Sequence, residues 1–120
     1  MAEYVLGAVE SKFADLIWEH EPLGSGELVK LSAEAQGWKK STTYTVLKKL
    51  CERGIFVNEN GAVRSLVSKQ ELAAKASESF VDEAFDGSLP AFVAAFTSKK
   101  RLTEQEVAAL KALIDRMEET

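Results

Sequence analysis

The sequence predicts a mostly α, α+β protein, on three observations. Apolar residues recur at helical spacing through most of the chain. One short interval breaks that spacing and reads as a hairpin: Ile55-Phe56-Val57, then Asn58-Glu59-Asn60-Gly61, then Ala62 to Val67. The residues just before it, 37–54, read as one helix with two unlike faces. Three helices and a hairpin, in that order, make a winged helix-turn-helix. Three more helices follow, so the chain divides into a winged helix-turn-helix domain at 1–67 and a helical dimerisation region at 68–120.

Val9, Phe13, Leu16 and Ile17 form the apolar stripe of a first helix ending near Glu19-His20. Pro22 and Gly24 break it. Ser25 is placed to cap a second helix, with Leu28, Leu31 and Ala35 facing inward. Gly37 ends that helix and Trp38 leads into the third.

In the third helix, Val46, Leu47, Leu50 and Cys51 repeat at helical spacing and are expected to be buried. Ser41, Thr42, Thr45, Lys48 and Lys49 fall mostly elsewhere on its surface. Such a helix anchors by one side and offers short hydroxyls and cations on the other, which is what the major groove of DNA admits. Its start breaks a local rule. Lys39 and Lys40 sit where the helix dipole favours anions, a cost of a few tenths to about 1 kcal/mol that a nearby phosphate would remove. Gly54 is the expected stop.

After Val67, Ser68-Lys69-Gln70-Glu71 reads as the capped start of a helix running to about Phe85. Leu72, Ala76, Phe80, Val81, Ala84 and Phe85 give it a broad apolar face. Asp86-Gly87-Ser88 stops it and caps the next helix, Leu89 to about Ser98, which carries Leu89, Phe92, Val93 and Phe96; Pro90 is tolerated in the first turn. Thr103 and Glu106 form a capping box for the last helix, stapled by Leu102 and Val107. Val107, Leu110, Ile114 and Met117 follow a seam-like spacing. About fifty residues rarely build a sufficient core alone. This region is therefore expected to pair with a second copy through Phe80, Val81, Phe85, Leu89, Phe92, Val93, Phe96, Leu110 and Ile114. A two-fold dimer with a reading helix in each arm implies a two-fold DNA site.

The net charge of −4 belongs to an acidic protein, yet residues 37–53 hold five basic residues against one acidic, a local +4. Local charge suffices for phosphate contact, and the acidic remainder limits non-specific binding. Catalytic chemistry finds no footing. The lone His20 and lone Cys51 have no partner cluster, which excludes an internal disulfide and a cysteine-based metal site. His20 is read as a helix-end residue and Cys51 as a core thiol. Gly24-Ser25-Gly26 lacks the Lys-Ser/Thr of a phosphate loop. Asp82, Glu83 and Asp86 are read as solvated helix positions. No cofactor or metal is expected. No apolar run is long enough to span a membrane, and Met1-Ala2-Glu3-Tyr4 lacks the start of a secretion signal, so the expected location is the cytoplasm.

The chain also resembles a known family, the penicillinase repressors, small bacterial winged-helix repressors of beta-lactamase and methicillin-resistance genes. The resemblance rests on Leu16-Ile17-Trp18, Pro22-Leu23 and Glu27-Leu28, and most on GWKKSTTYTVLKKLCERG at 37–54. It continues through LVSKQEL at 66–72, SFVDEAFDGSLPAFVAAF at 79–96 and LTEQEVAALKALID at 102–115. It implies an N-terminal winged helix, a helical dimerisation region, a palindromic operator in double-stranded DNA, and release by a regulatory protease that cuts in the dimerisation helices. Base reading falls by this resemblance to Ser41, Thr42 and Thr45, with Lys40, Tyr44 and Lys48 as neighbours. There are departures. The family's serine after the tryptophan is Lys39, the basic residue after its wing glycine is Ala62 and its wing aromatic is missing, leaving Arg64 as the only wing cation, and its cleaved Asn-Phe bond corresponds to Ala95-Phe96. The cysteine-rich tail of copper-responsive relatives is absent. The expected function is a DNA-binding homodimeric repressor and not an enzyme; the alternative is a winged-helix protein-interaction module without DNA binding.

Overall fold

The computed structural model describes residues 4–119, so the first three residues of the N-terminal stretch lie outside it. The elements run α1 (Ala8–His20), β1 (Leu23–Gly24), α2 (Ser25–Gln36), α3 (Lys40–Glu52), β2 (Phe56–Glu59), β3 (Ala62–Ser65), α4 (Lys69–Phe85), α5 (Leu89–Lys99) and α6 (Glu104–Glu118). This is a winged helix followed by a helical region, as the apolar spacing and the hairpin predict. Two compact units divide the chain, one ending at Phe80 and the other beginning at Val81, within α4.

The first unit is built around Phe13, Ala14 and Ile17 of α1, Leu28 of α2, Leu47 and Leu50 of α3, Ile55, Phe56, Val63 and Leu72. The three strands form an antiparallel sheet in the order β1-β3-β2. Leu23 pairs with Val63, and Glu59 with Ala62. That register leaves Asn60 and Gly61 as a two-residue turn, both at positive φ (52° and 84°), the geometry an Asn-Gly hairpin demands. The turn is shorter than the sequence suggests, because Asn58 and Glu59 belong to β2. Pairing with β3 continues until the twist-compatible turn closes it.

Two inward assignments and one cap fail. Val9 is 55% exposed, because it lies in the first turn of α1 ahead of the core stripe. Ala35 is exposed in the last turn of α2, where buried Ser32 takes the inward position instead. Ser25 is not a cap: Gly24 is the N-cap of α2, and Ser25 is its first residue. Gly37 does end α2, at φ +68°.

Contacts distant in sequence lock the hairpin to α1. The Glu21 carboxylate accepts from the Ser65 backbone N–H at 2.8 Å and from the Ser65 hydroxyl at 2.8 and 2.9 Å. Trp18 packs against Phe56 with the rings tilted and their centres 5.3 Å apart, and donates its indole N–H to the Val67 carbonyl at 3.1 Å. Lys69 at the start of α4 pairs with Asp15 at 2.9 Å.

Ser32 breaks the rule of satisfied interiors. Its hydroxyl is buried and has no hydrogen-bond partner among the described residues. An unsatisfied buried hydroxyl costs about 1–3 kcal/mol, and alanine is the better helix former. Ser32→Ala is therefore expected to raise stability by about 1–2 kcal/mol, measured as a higher denaturation midpoint. A lower midpoint would mean that a water satisfies the hydroxyl.

The second unit follows its capping signals. Ser88 accepts from the Ala91 N–H at 3.1 Å to start α5. At α6 the Thr103 hydroxyl accepts from the Glu106 N–H, while the Glu106 carboxylate accepts from the Thr103 N–H at 2.9 Å. Ser68 and Glu71 make the same reciprocal pair at α4 in the first unit. The backbone N–H of Ser68 holds the Glu71 carboxyl below the usual carboxylate range, and that of Thr103 does the same for Glu106. A lowered folded value stabilises above the unfolded one and is lost as pH falls through it, so both caps weaken only on acidification.

Candidate nucleic-acid interface

The N-cap of α3 is Lys39, with extended backbone and no capping side chain, and its first turn holds no acid. Cations therefore stand where the dipole is positive, as the sequence indicates. The helix buries Thr43, Leu47 and Leu50 and half-buries Val46 and Cys51. Thr43 was not expected inside. Its hydroxyl is satisfied by donating to the Lys39 carbonyl at 3.1 Å, which lets it sit on the core face. Its position four residues before Leu47 was the available signal.

The other face is open. Ser41, Thr42, Thr45, Lys48 and Lys49 are all exposed, as are Lys39 and Lys40. Thr45 donates its hydroxyl hydrogen to the Ser41 carbonyl at 2.9 Å, leaving oxygen lone pairs and a methyl facing out. That arrangement accepts from an exocyclic amine or touches a thymine methyl. Among the described residues, Lys39, Lys40, Lys48 and Lys49 make no ion pair. Cys51 is half-buried, and desolvation pushes its thiol up from its ordinary value, away from the reactive thiolate.

Tyr44 stands apart from these. It is half-buried, and its hydroxyl donates to Ser25 Oγ at 3.2 Å. Ser25 in turn donates its backbone N–H to the Gly61 carbonyl at 2.8 Å. Tyr44 thus ties α3 to the start of α2, and Ser25 ties α2 to the hairpin tip. An open groove of about 430 Å³ runs between α3 and the hairpin, lined by Tyr44, Leu47, Lys48, Cys51, Val57 and Asn58. Arg64 is exposed on β3, with its guanidinium 2.8 Å from the Glu59 carboxylate. Glu21, which clamps the hairpin base through Ser65, escaped the sequence reading because its partner lies 44 residues away.

The model of the family described as penicillinase repressor matches residues 6–116. The chain belongs to that family. Among similar proteins is the methicillin resistance regulatory protein MecI of Staphylococcus aureus, 20% identical over 117 residues, covering 94% of this chain and 95% of the relative. The penicillinase repressor of Bacillus licheniformis is 22% identical over 111 residues, covering 88% and 86%. The match spans both units.

In the second unit, α5 and α6 contain no buried residue. Leu89, Val93, Phe96, Leu110 and Ile114 are between 41% and 59% exposed, and Phe80 is 38% exposed. Val81, Phe85 and Phe92 are half-buried. Phe92 packs against Phe85 at 5.6 Å and against Phe96 at 6.1 Å. Ala95 and Phe96 lie inside α5, both exposed. Among the described residues no helix is long and apolar enough to cross a membrane, and no acid, His or Cys cluster could hold a metal.

Proposed function

We propose that the chain is a cytoplasmic homodimeric repressor that grips a palindromic duplex operator with one α3 in each half-site. The family carries the function class: its members are DNA-binding transcriptional repressors and not enzymes. That favours the repressor over a protein-interaction module without DNA binding. The observation that carries the site is the exposed face of α3, with three outward hydroxyl residues among four cations that make no ion pair among the described residues. Ser41, Thr42 and Thr45 read bases. Lys39, Lys40 and Lys48 meet phosphates, and Tyr44 holds the helix in place. Phe80, Val81, Phe85, Leu89, Phe92, Val93, Phe96, Leu110 and Ile114 supply the dimer contact. A regulatory protease acting at Ala95-Phe96 would have to open α5 locally, since cleavage needs extended backbone.

Selection of bound duplexes from a random pool tests the reading and gives the half-site. With that site in hand, Thr42→Ala or Thr45→Ala is expected to cost about 1–3 kcal/mol on the selected duplex only. Lys48→Ala should weaken every duplex alike and reduce the salt slope by roughly one. Equal losses by all three variants on selected and random duplexes would refute the assignment of roles.

A further inference from the structure

The hairpin carries a device that the lysines of α3 lack. Strand register sets Val57 opposite Arg64 and Glu59 opposite Ala62, so these four residues share one face of the hairpin. Buried Val63, opposite Asn58, belongs to the other face. Val57 lines the same groove as Tyr44 and Lys48, together with Asn58 of the other face, so β2 runs beside α3, and the face bearing Val57 continues across the hairpin to Arg64. On that face Arg64 is paired with Glu59 at 2.8 Å, with side chains 51% and 60% exposed. Both groups are therefore open to an incoming ligand while satisfying each other.

We propose that Glu59 withholds Arg64 from the DNA backbone and so limits affinity for duplex of any sequence. The inference rests on the reading of α3 as the groove helix. Glu59 holds one Nη2 donor of Arg64 and offsets its charge, so a phosphate that bonds to the remaining donors meets a carboxylate beside it. That carboxylate lies on the same face, well inside a screening length of about 10 Å, and repels the phosphate. The lysines of α3 have no such competitor among the described residues. Phosphate contact is therefore concentrated on the helix that also reads bases, and the hairpin adds little sequence-independent attraction. An exposed pair of this kind contributes little to folding, so substitutions there leave the fold intact.

The test uses the full chain as wild type, Glu59→Gln, Arg64→Ala and the double variant. Affinity is measured across a salt series on a selected duplex and on a random one. Glu59→Gln is expected to tighten both duplexes roughly threefold to tenfold near 0.1 M salt and to steepen the salt slope by about 0.9, the signature of one added phosphate contact. Arg64→Ala should stay within about twofold of wild type, and the double variant should lose the steeper slope. An unchanged Glu59→Gln variant would overturn the proposal. So would a steeper slope that persists without Arg64, or a tenfold loss in Arg64→Ala alone. Absence of any duplex binding by the wild type would instead defeat the DNA reading on which the proposal stands.

Discussion

Phe13→Ala is expected to destabilise the first unit by about 3–5 kcal/mol, the range for removing a fully buried phenyl ring. Phe13 has no exposed surface and sits at the centre of the α1 stripe. Its ring packs against Trp38, tilted and 5.3 Å away between centres, and Trp38 immediately precedes the N-cap of α3. The substitution therefore opens a cavity and removes the support of the segment that leads into α3, the proposed DNA-reading helix. Domains of this size have about 5–15 kcal/mol in total, so the loss takes a large share. Denaturant unfolding followed by tryptophan emission measures it, since Trp18 and Trp38 both pack on phenyl rings of this core. A cost below about 1 kcal/mol would show that the core closes over the gap.

Phe96→Asp is expected to convert the chain to a monomer at micromolar concentration and to weaken operator binding in parallel. Phe96 is 47% exposed, lines an apolar cavity of about 390 Å³ with Phe92, Val93, Leu102 and Leu110, and lies on a helix with no buried residue. In the proposed dimer a carboxylate there is desolvated without a partner. Central aromatic anchors cost about 2–4 kcal/mol on truncation, and an unpaired charge adds to that. Dimer affinity should fall at least thirtyfold. Sedimentation equilibrium reads the mass. Far-UV dichroism shows whether α5 remains helical. A variant that stays dimeric would place the contact elsewhere.

Much of this architecture was legible because it is local. The Asn60-Gly61 turn needs two positive φ values, and those two residue types supply them most readily. The capping boxes at Ser68/Glu71 and Thr103/Glu106 are pairs three residues apart, and both form. The two faces of α3 follow from helical period alone. What stayed hidden depends on distance along the chain. Nothing near Glu21 announces that Ser65 will occupy its carboxylate. Nothing near Leu72 announces that it completes the core of the first unit, although α4 begins beyond the hairpin. Val9 and Ala35 fit an apolar stripe by period, yet each lies in a terminal turn of its helix, clear of the core. The pairing of Arg64 with Glu59 is a diagonal contact across two strands, visible only once the register is known.

The absence of buried side chains in α5 and α6 has a consequence for the proposed repressor in the cell. A surface that finds its cover only on a second copy makes ordering of these helices a bimolecular event, with stability tied to how many copies are present. When dimers are scarce, their number falls as the square of the free monomer. Occupancy of the operator then drops faster than the protein itself is lost. Dilution by growth, or removal of a fraction of the molecules, would relieve repression more sharply than the loss of independent binders could.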